Sequence, residues 1–417
     1  MLRSIFPKVD HKYLSMPLLG PVADGFDDWL AANGYTRHSR QHAIRMLRHV
    51  DIDLRRRRIG EVARLTHTIL DDCWRDLNKL FPGDAGTVRA LERYLITKNM
   101  IAIAEAGGAP VGSAAAVLTN EYANHLHEVG GFAVSTIRHH RYVSRCFLDH
   151  LDSKKVSLRS IQPSDLETYI LQAGKRLSRA SLQQEIAPLR GFLRFLAMDG
   201  RVPHGLDRQI DTPRLYRLEQ LPRALPWDTV KALLRSIDTT SAIGLRDYAM
   251  LLLIATYGLR ASEVVAITLD DIRWRQGRLC IHQRKTSSPL ELPLTNEVAA
   301  AIVKHLKRTP PQEPHRRIFL RMHAPIGLLK PTAISEAFHS MVRKSRLSIP
   351  LQGPHCLRHS LALHLLNKET PLKTIGDILG HRTAESTSTY LRLATVDLRE
   401  VALAVPSKTQ FRKVVQP

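Results

Sequence analysis

Between residues 114 and 205 apolar side chains recur every three or four positions, the spacing of one helix face, and that regularity restricts the segment to packed helices. STIRHHRYVSRCFLDHL sets Ile137, Tyr142, Val143, Phe147 and Leu151 on one face, with Arg138, Arg141 and Arg145 opposite. Upstream, AAVLTNEYANHLHEVG aligns Val117, Leu118, Tyr122 and Leu126. SRASLQQEIAPLRGFLRFLAMDG repeats the logic with Leu182, Ile186, Leu189, Phe192, Leu193 and Leu196. Helices with one apolar stripe must bury it against one another, so a small all-helical domain with basic outer faces is expected. Lys175, Arg176 and Arg179 add further positive charge around the start of its last helix.

Downstream the pattern changes. PWDTVKALLRSI, with Pro226 near its first turn, and LRDYAMLLLIATYGLR both read as helices. The second is apolar enough to be buried and stops at Gly258, where a left-handed cap would sit. RLCIHQR and PLELPL are short strands joined by KTSS, which predicts a hairpin. TNEVAAAIVKHLKR is helical behind Thr295 as N-cap. Further helices are expected over about 332–346, 355–369 and 372–379, with a last one carrying Tyr390. The fold class is therefore mainly α with a small β-hairpin or sheet, helical domains preceding a mixed α+β domain.

Composition sets the boundaries. Residues 1–110 form a basic helical region ending in the small-residue stretch AEAGGAPVGSAAA, and 114–205 is the helical domain. Residues 206–221 are a Pro-bearing linker expected to cross in extended form, 222–400 the mixed domain, and 401–417 a tail. In the first region FDDWLAANGYTRHSRQHAIRMLRHVDIDL follows YANHLHEVGGFAVSTIRHHRYVSRCFLDHL in its order of aromatic, leucine, glycine and arginine positions. The first region is either a diverged copy of the second or an unrelated helical hairpin.

The chain of 417 residues carries 61 Lys and Arg against 39 Asp and Glu, a net charge of +22. A positive field of that size matches a polyanion, and nucleic acid is the usual one. Aromatic residues make up only 6%, which disfavours base stacking and favours phosphate contact on double-stranded DNA. Arg45, Arg48 and the run Arg55–Arg58 fit either direct DNA contact or a solvated helix end. Cys73, Cys146, Cys280 and Cys356 have no CxxC spacing, so neither a zinc finger nor a disulfide framework is expected, and a cytoplasmic home follows. No stretch approaches the about 18 apolar residues of a membrane span, and no signal-peptide run opens the chain.

Breaking a phosphodiester without a metal needs a nucleophile, cations on the non-bridging oxygens and a proton for the leaving oxygen. Arginine suits the second task because its planar fork binds two phosphate oxygens and stays charged. Arg260 follows the glycine that stops the buried helix. His355 and Arg358 lie three apart at a helix start and share a face, behind Gly353 and Pro354. His381 follows Gly380, and Tyr390 comes nine positions later. Lys285 lies at the hairpin tip, with Arg284 beside it. Singly, each has an ordinary explanation as a surface or packing residue.

Taken in order, GLRASEV (258–264), the hairpin lysine, PHCLRHS (354–360) and LGHRTAESTSTY (379–390) resemble the tyrosine recombinase (phage integrase) family. The resemblance covers the whole mixed domain, and the preceding helical domain looks like the family's SAM-like core-binding domain. It implies that Tyr390 is the nucleophile, leaving a 3′-phosphotyrosine and a free 5′-hydroxyl. Arg260 and Arg358 would grip the phosphate and His381 bond a non-bridging oxygen. His355 would accept the tyrosine proton, Lys285 protonate the 5′-oxygen, and Glu263 support Arg260 from behind. The phosphotyrosyl bond conserves energy, so no cofactor or metal is implied. The expected partners are double-stranded DNA and further copies of the chain, as a tetramer on paired sites, with no membrane; the expected place is the bacterial nucleoid. A type IB topoisomerase-like relaxing enzyme and a catalytically silent DNA-binding regulator are the alternatives.

Overall fold

The computed structural model describes residues 2–101, 114–216, 223–282, 289–310, 315–350, 353–381 and 383–393. Lys285, Arg284 and the tail from residue 394 lie outside the described residues. Among the described residues no helix is long and apolar enough to cross a membrane.

The N-terminal region is built from α1 (His11–Leu14), α2 (Gly20–Ala32), α3 (Arg37–Arg56), α4 (His67–Leu80) and α5 (Gly86–Thr97) around its own apolar core, which includes Phe26, Leu47, Leu70 and Leu91. A second core, with Tyr122, Phe147, Leu166 and Phe192, is enclosed by α6 (Ala114–Glu128), α7 (Val134–Lys154), α8 (Pro163–Gly174) and α9 (Arg179–Met198). The two units share a plan. In each, a glycine with positive φ (Gly34, Gly131) precedes the long helix, and a non-glycine left-handed residue follows it, Lys155 at the C-cap (φ 56°) and Arg58 one residue past the C-cap Arg57 (φ 61°). A single 3-10 turn follows (Val62–Arg64, Leu158–Ser160), then a buried aliphatic (Leu65, Ile161) and the next helix. These matching punctuation points favour the copy over the unrelated hairpin.

Two side chains depart from the sequence expectation. Tyr142 is 53% and Val117 49% exposed, because the apolar stripe runs through the adjacent Val143 and Leu118 and leaves these two outside it. The linker is not wholly extended either: Leu206–Gln209 forms a 3-10 turn and Leu206 joins the second core.

The third unit contains α10 (Trp227–Arg235), α11 (Ala242–Tyr257), α12 (Ala261–Val264), α13 (Asn296–Arg308), α14 (Thr332–Ser345), α15 (His355–Leu366), α16 (Leu372–Leu379) and α17 (Ala384–Ser388). The expected hairpin is the larger part of a three-stranded antiparallel sheet, β1 (Ile272–Arg273), β2 (Arg278–His282) and β3 (Pro289–Pro293), in that order. Leu279 pairs with Leu292 and both are buried in the core. α11 is buried almost all round, as its unbroken apolar run requires. Ser241 caps its N-terminus, accepting from the Gly244 amide at 3.1 Å, and Thr295 caps α13 in the same way from Val298.

Gly258 ends α11 at φ 64°. The left-handed dihedral demands glycine, and a Cβ there would lie 2.4 Å from Leu379 Cδ2, so that buried side chain would have to shift as well. Gly258→Ala should therefore cost about 2–4 kcal/mol of stability, the sum of left-handed strain and overpacking, read by urea unfolding. A loss under about 0.5 kcal/mol would show that the two helix ends can part freely.

Candidate active site

Four chain segments meet at one place, and each arrives through a helix terminus. Arg260 follows the glycine stop of α11 and serves as N-cap of α12. Glu263, only 2% exposed, holds it twice: Oε2 accepts from the Arg260 amide and Oε1 from Arg260 Nη1, each at 2.8 Å. The expected support from behind is thus a capping carboxylate that fixes backbone and side chain together.

α15 brings His355, Arg358 and His359. Its register is pinned by Ser360, whose hydroxyl accepts from the Leu225 amide at 2.7 Å and donates to the Cys356 carbonyl at 2.9 Å. Arg358 is 2% exposed. Its Nη1 donates to the Gly258 carbonyl and its Nη2 to the Leu379 carbonyl at 2.6 Å. Both acceptors lie at glycine-stopped helix C-termini, where unpaired carbonyls and the helix dipole favour a cation. Burial, and then the neighbouring Arg260, bring the guanidinium down to about 10, still protonated at neutral pH.

α16 ends at Gly380, φ 63°, and His381 comes next. His381 Nδ1 lies 2.8 Å from Thr387 Oγ1, and Thr387 is buried on α17. That contact fixes the ring and leaves Nε2 for another partner. Burial first, then Arg358, Arg260 and His355, lower His381 to about 4. Tyr390, in the 3-10 turn Thr389–Leu393, is 3% exposed, and its ring lies parallel to that of His381 at 6.3 Å. Burial raises the phenol above its ordinary value, against the opposing pull of Arg358 and Arg260, so it stays protonated at neutral pH.

Tyr390 Oη lies 3.0 Å from His359 Nδ1, a contact that the sequence did not lead us to expect. His355 is exposed at the start of α15, its ring edge-on to His359 at 4.6 Å. The i, i+4 spacing of these two histidines was the available signal. The structure therefore joins Arg260, Glu263, His355, Arg358, His381 and Tyr390 and adds His359 and Thr387. Cationic arginines beside neutral imidazoles and a protonated phenol make a pocket complementary to an anion carrying a reactive ester.

The region over 223–396 matches the model of the phage integrase family, and 119–200 matches the N-terminal SAM-like domain of phage integrases. An integrase/recombinase of Sinorhizobium fredii, y4rA, is 33% identical over 95% of this chain and 98% of its own. This chain belongs to the phage integrase family. It is a site-specific recombinase of the tyrosine class. The tyrosine recombinase XerD of Listeria monocytogenes is 29% identical over 68% of this chain and 96% of its own. Among solved structures, the XerH recombinase bound to a palindromic difH substrate superposes with a TM-score of 0.54 at 16% identity, over 68% of this chain and 83% of that one. The Tn1549 transposon integrase with a circular-intermediate DNA gives 0.52 at 16%, over 68% and 99%. Both likenesses are of fold.

The other basic residues singled out in the sequence fall on surfaces apart from this pocket. Arg138, Arg141 and Arg145 follow one another along α7, with Arg141 Nη2 bonded to Asn120 Oδ1 at 2.7 Å and Arg145 3.7 Å from Asp149. Lys175, Arg176 and Arg179 are exposed where α8 passes into α9. Arg45 and Arg48 are exposed on α3, with Arg45 over the Phe6 ring. In the following run Arg55 pairs with Asp51 at 2.9 Å, and Arg57 with Asp53 at 2.8 Å and Asp76 at 2.7 Å. Half of that run is thus neutralised within its own unit, while Arg56 and Arg58 remain exposed.

Two neutral imidazoles give a pH signature. An unfolded histidine titrates near 6.5, whereas folded His359 and His381 are lowered to about 4. Between those values the unfolded chain binds more protons, so stability should fall as pH drops from about 6.5 to about 4. Replacing His359 or His381 with glutamine should flatten that slope. A slope unaltered by either change would place the protons elsewhere.

Proposed function

We propose that this recombinase cuts and rejoins double-stranded DNA through a covalent bond between Tyr390 and the 3′-phosphate. The observation that carries the proposal is the convergence of Arg260, Arg358 and His381 around a buried tyrosine whose hydroxyl already contacts an imidazole. A phenol with its ordinary pKa near 10 is a weak nucleophile at neutral pH. Two fixed arginines on the non-bridging oxygens draw charge from phosphorus, and a proton acceptor beside the phenol completes its activation.

In this reading Arg260 and Arg358 stabilise the pentacoordinate transition state. His381, its ring set by Thr387, donates to a non-bridging oxygen, and Glu263 keeps Arg260 in place. His355 takes part in proton transfer at the exposed edge, and Lys285 supplies the proton for the 5′-oxygen. The N-terminal and second helical units face the duplex with Arg45, Arg48, Arg56 and Arg58, and with Arg138, Arg141, Arg145, Lys175, Arg176 and Arg179. The similar XerH and Tn1549 integrase structures are DNA complexes, which supports the same partner here. Strand exchange between two sites requires more than one active tyrosine, so the chain works as a tetramer on paired sites. Its setting is the bacterial cytoplasm, on DNA of a mobile element.

A duplex nicked just beyond the scissile phosphate traps the covalent product. Wild type should give an SDS-resistant protein–DNA adduct, unaffected by EDTA. Tyr390→Phe should give none while binding DNA normally, and Arg260→Ala should cut about 10²–10³-fold more slowly. An adduct formed by Tyr390→Phe, or a requirement for magnesium, would contradict the assignment.

The N-terminal unit has a separate test. Changing Arg45, Arg48, Arg56 and Arg58 to glutamine should shorten the DNA footprint. It should also reduce the slope of log affinity against log salt by about 0.9 for each phosphate that is no longer neutralised. An unchanged slope and footprint would leave these arginines as solvated surface.

A further inference from the structure

We propose that His359, the residue after the second arginine, is the group that takes the proton of Tyr390 during attack on phosphorus and returns it during rejoining. This rests on Tyr390 being the nucleophile. Nδ1 of His359 lies 3.0 Å from Tyr390 Oη, already at transfer distance, and the two rings are 5.6 Å apart at 55°. His355, one helical turn earlier, meets the edge of the His359 ring and is itself exposed. The tyrosine hydroxyl is thus covered by one imidazole, with the second on its outer side.

Charge explains when such a base acts. Burial first, then His355, Arg358 and His381, hold His359 at about 4, so in the free protein it is neutral and its Nδ1 can accept. The groups that face it are Tyr390 and His381 from other elements and His355 and Arg358 from its own helix, and none of them carries negative charge in the resting site. A docked phosphodiester would bring the missing anion beside the ring and stabilise the imidazolium as it forms. As the Oη–phosphorus bond forms and the phosphorus–O5′ bond breaks, the phenol proton passes to His359 Nδ1. The leaving oxygen takes a proton from the Lys285 ammonium. Rejoining reverses both transfers, so protons and charge balance over the cycle. A base that gains strength only when the phosphate arrives also keeps the tyrosine inert until DNA is bound.

Single-turnover cleavage of the nicked duplex by the full chain tests the proposal. His359→Asn keeps a polar partner near the hydroxyl, but its amide cannot take up the phenol's proton at neutral pH. Adduct formation should fall about 10²–10⁴-fold, the usual range for removal of a general base, with DNA binding retained. His359→Ala should be partly rescued by added imidazole, more strongly by more basic substituted imidazoles. If either variant misfolds by circular dichroism, His359→Gln serves with the same criteria. Cleavage by the asparagine variant within about threefold of wild type would overturn the proposal. So would a slow alanine variant indifferent to imidazole basicity, because that residue would only position the ring. Tyr390→Phe run alongside separates the two levels: if it still forms adduct, the nucleophile is wrong; if only the His359 variants stay active, the nucleophile stands and the base is elsewhere.

Discussion

The buried guanidinium of Arg358 is the interaction on which the rest of the site depends. It lies where α11 and α16 end, bonded to the Gly258 and Leu379 carbonyls. Each of those carbonyls belongs to a helix stopped by a left-handed glycine, and each would otherwise be an unpaired acceptor inside the protein. Arg358 therefore satisfies two helix ends and fixes the distance between them. Arg260 follows one end and His381 the other, so the spacing of the site is set by this one side chain. A guanidinium has five N–H donors; here they serve the two carbonyls and Tyr390, and the rest remain for a phosphate.

Electrostatics then works in one direction. Burial, and after it the charge of neighbouring arginines, lowers Arg358, His359 and His381. Burial keeps the tyrosine protonated despite them. Among the described residues, the free site thus sets its arginines against a single carboxylate, Glu263, which is engaged with Arg260. A phosphodiester relieves that imbalance. Binding and activation are coupled because the substrate supplies the charge that the transition state needs.

Much of this was legible in the residues. Gly258 and Gly380 announced helix stops, so the residues after them could be placed on firmly held chain. His355 and Arg358 at i, i+3 declared a shared face, and Glu263 three after Arg260 had the spacing of a capping partner. Other features were hidden for physical reasons. Tyr142 and Val143 are adjacent, and a helical period alone leaves open which of them faces the core. β1 is two residues long, too short for any alternation to register. Thr387 meets His381 only because α17 folds back over α16, a tertiary fact without local periodicity. His359 was readable as i+4 from His355, but its contact with Tyr390 spans 31 residues of chain and exists only in the fold.

The claim that a planar fork is required here, and not a positive charge alone, is tested most directly by Arg358→Lys. Lysine keeps the cation but cannot bond both helix-end carbonyls and a phosphate in one plane. Unfolding and single-turnover cleavage measured on the same preparation should both suffer, with a stability loss of about 2–4 kcal/mol and cleavage slower by at least about 10²-fold. A lysine variant as stable as wild type, or one that cleaves at an undiminished rate, would contradict the account.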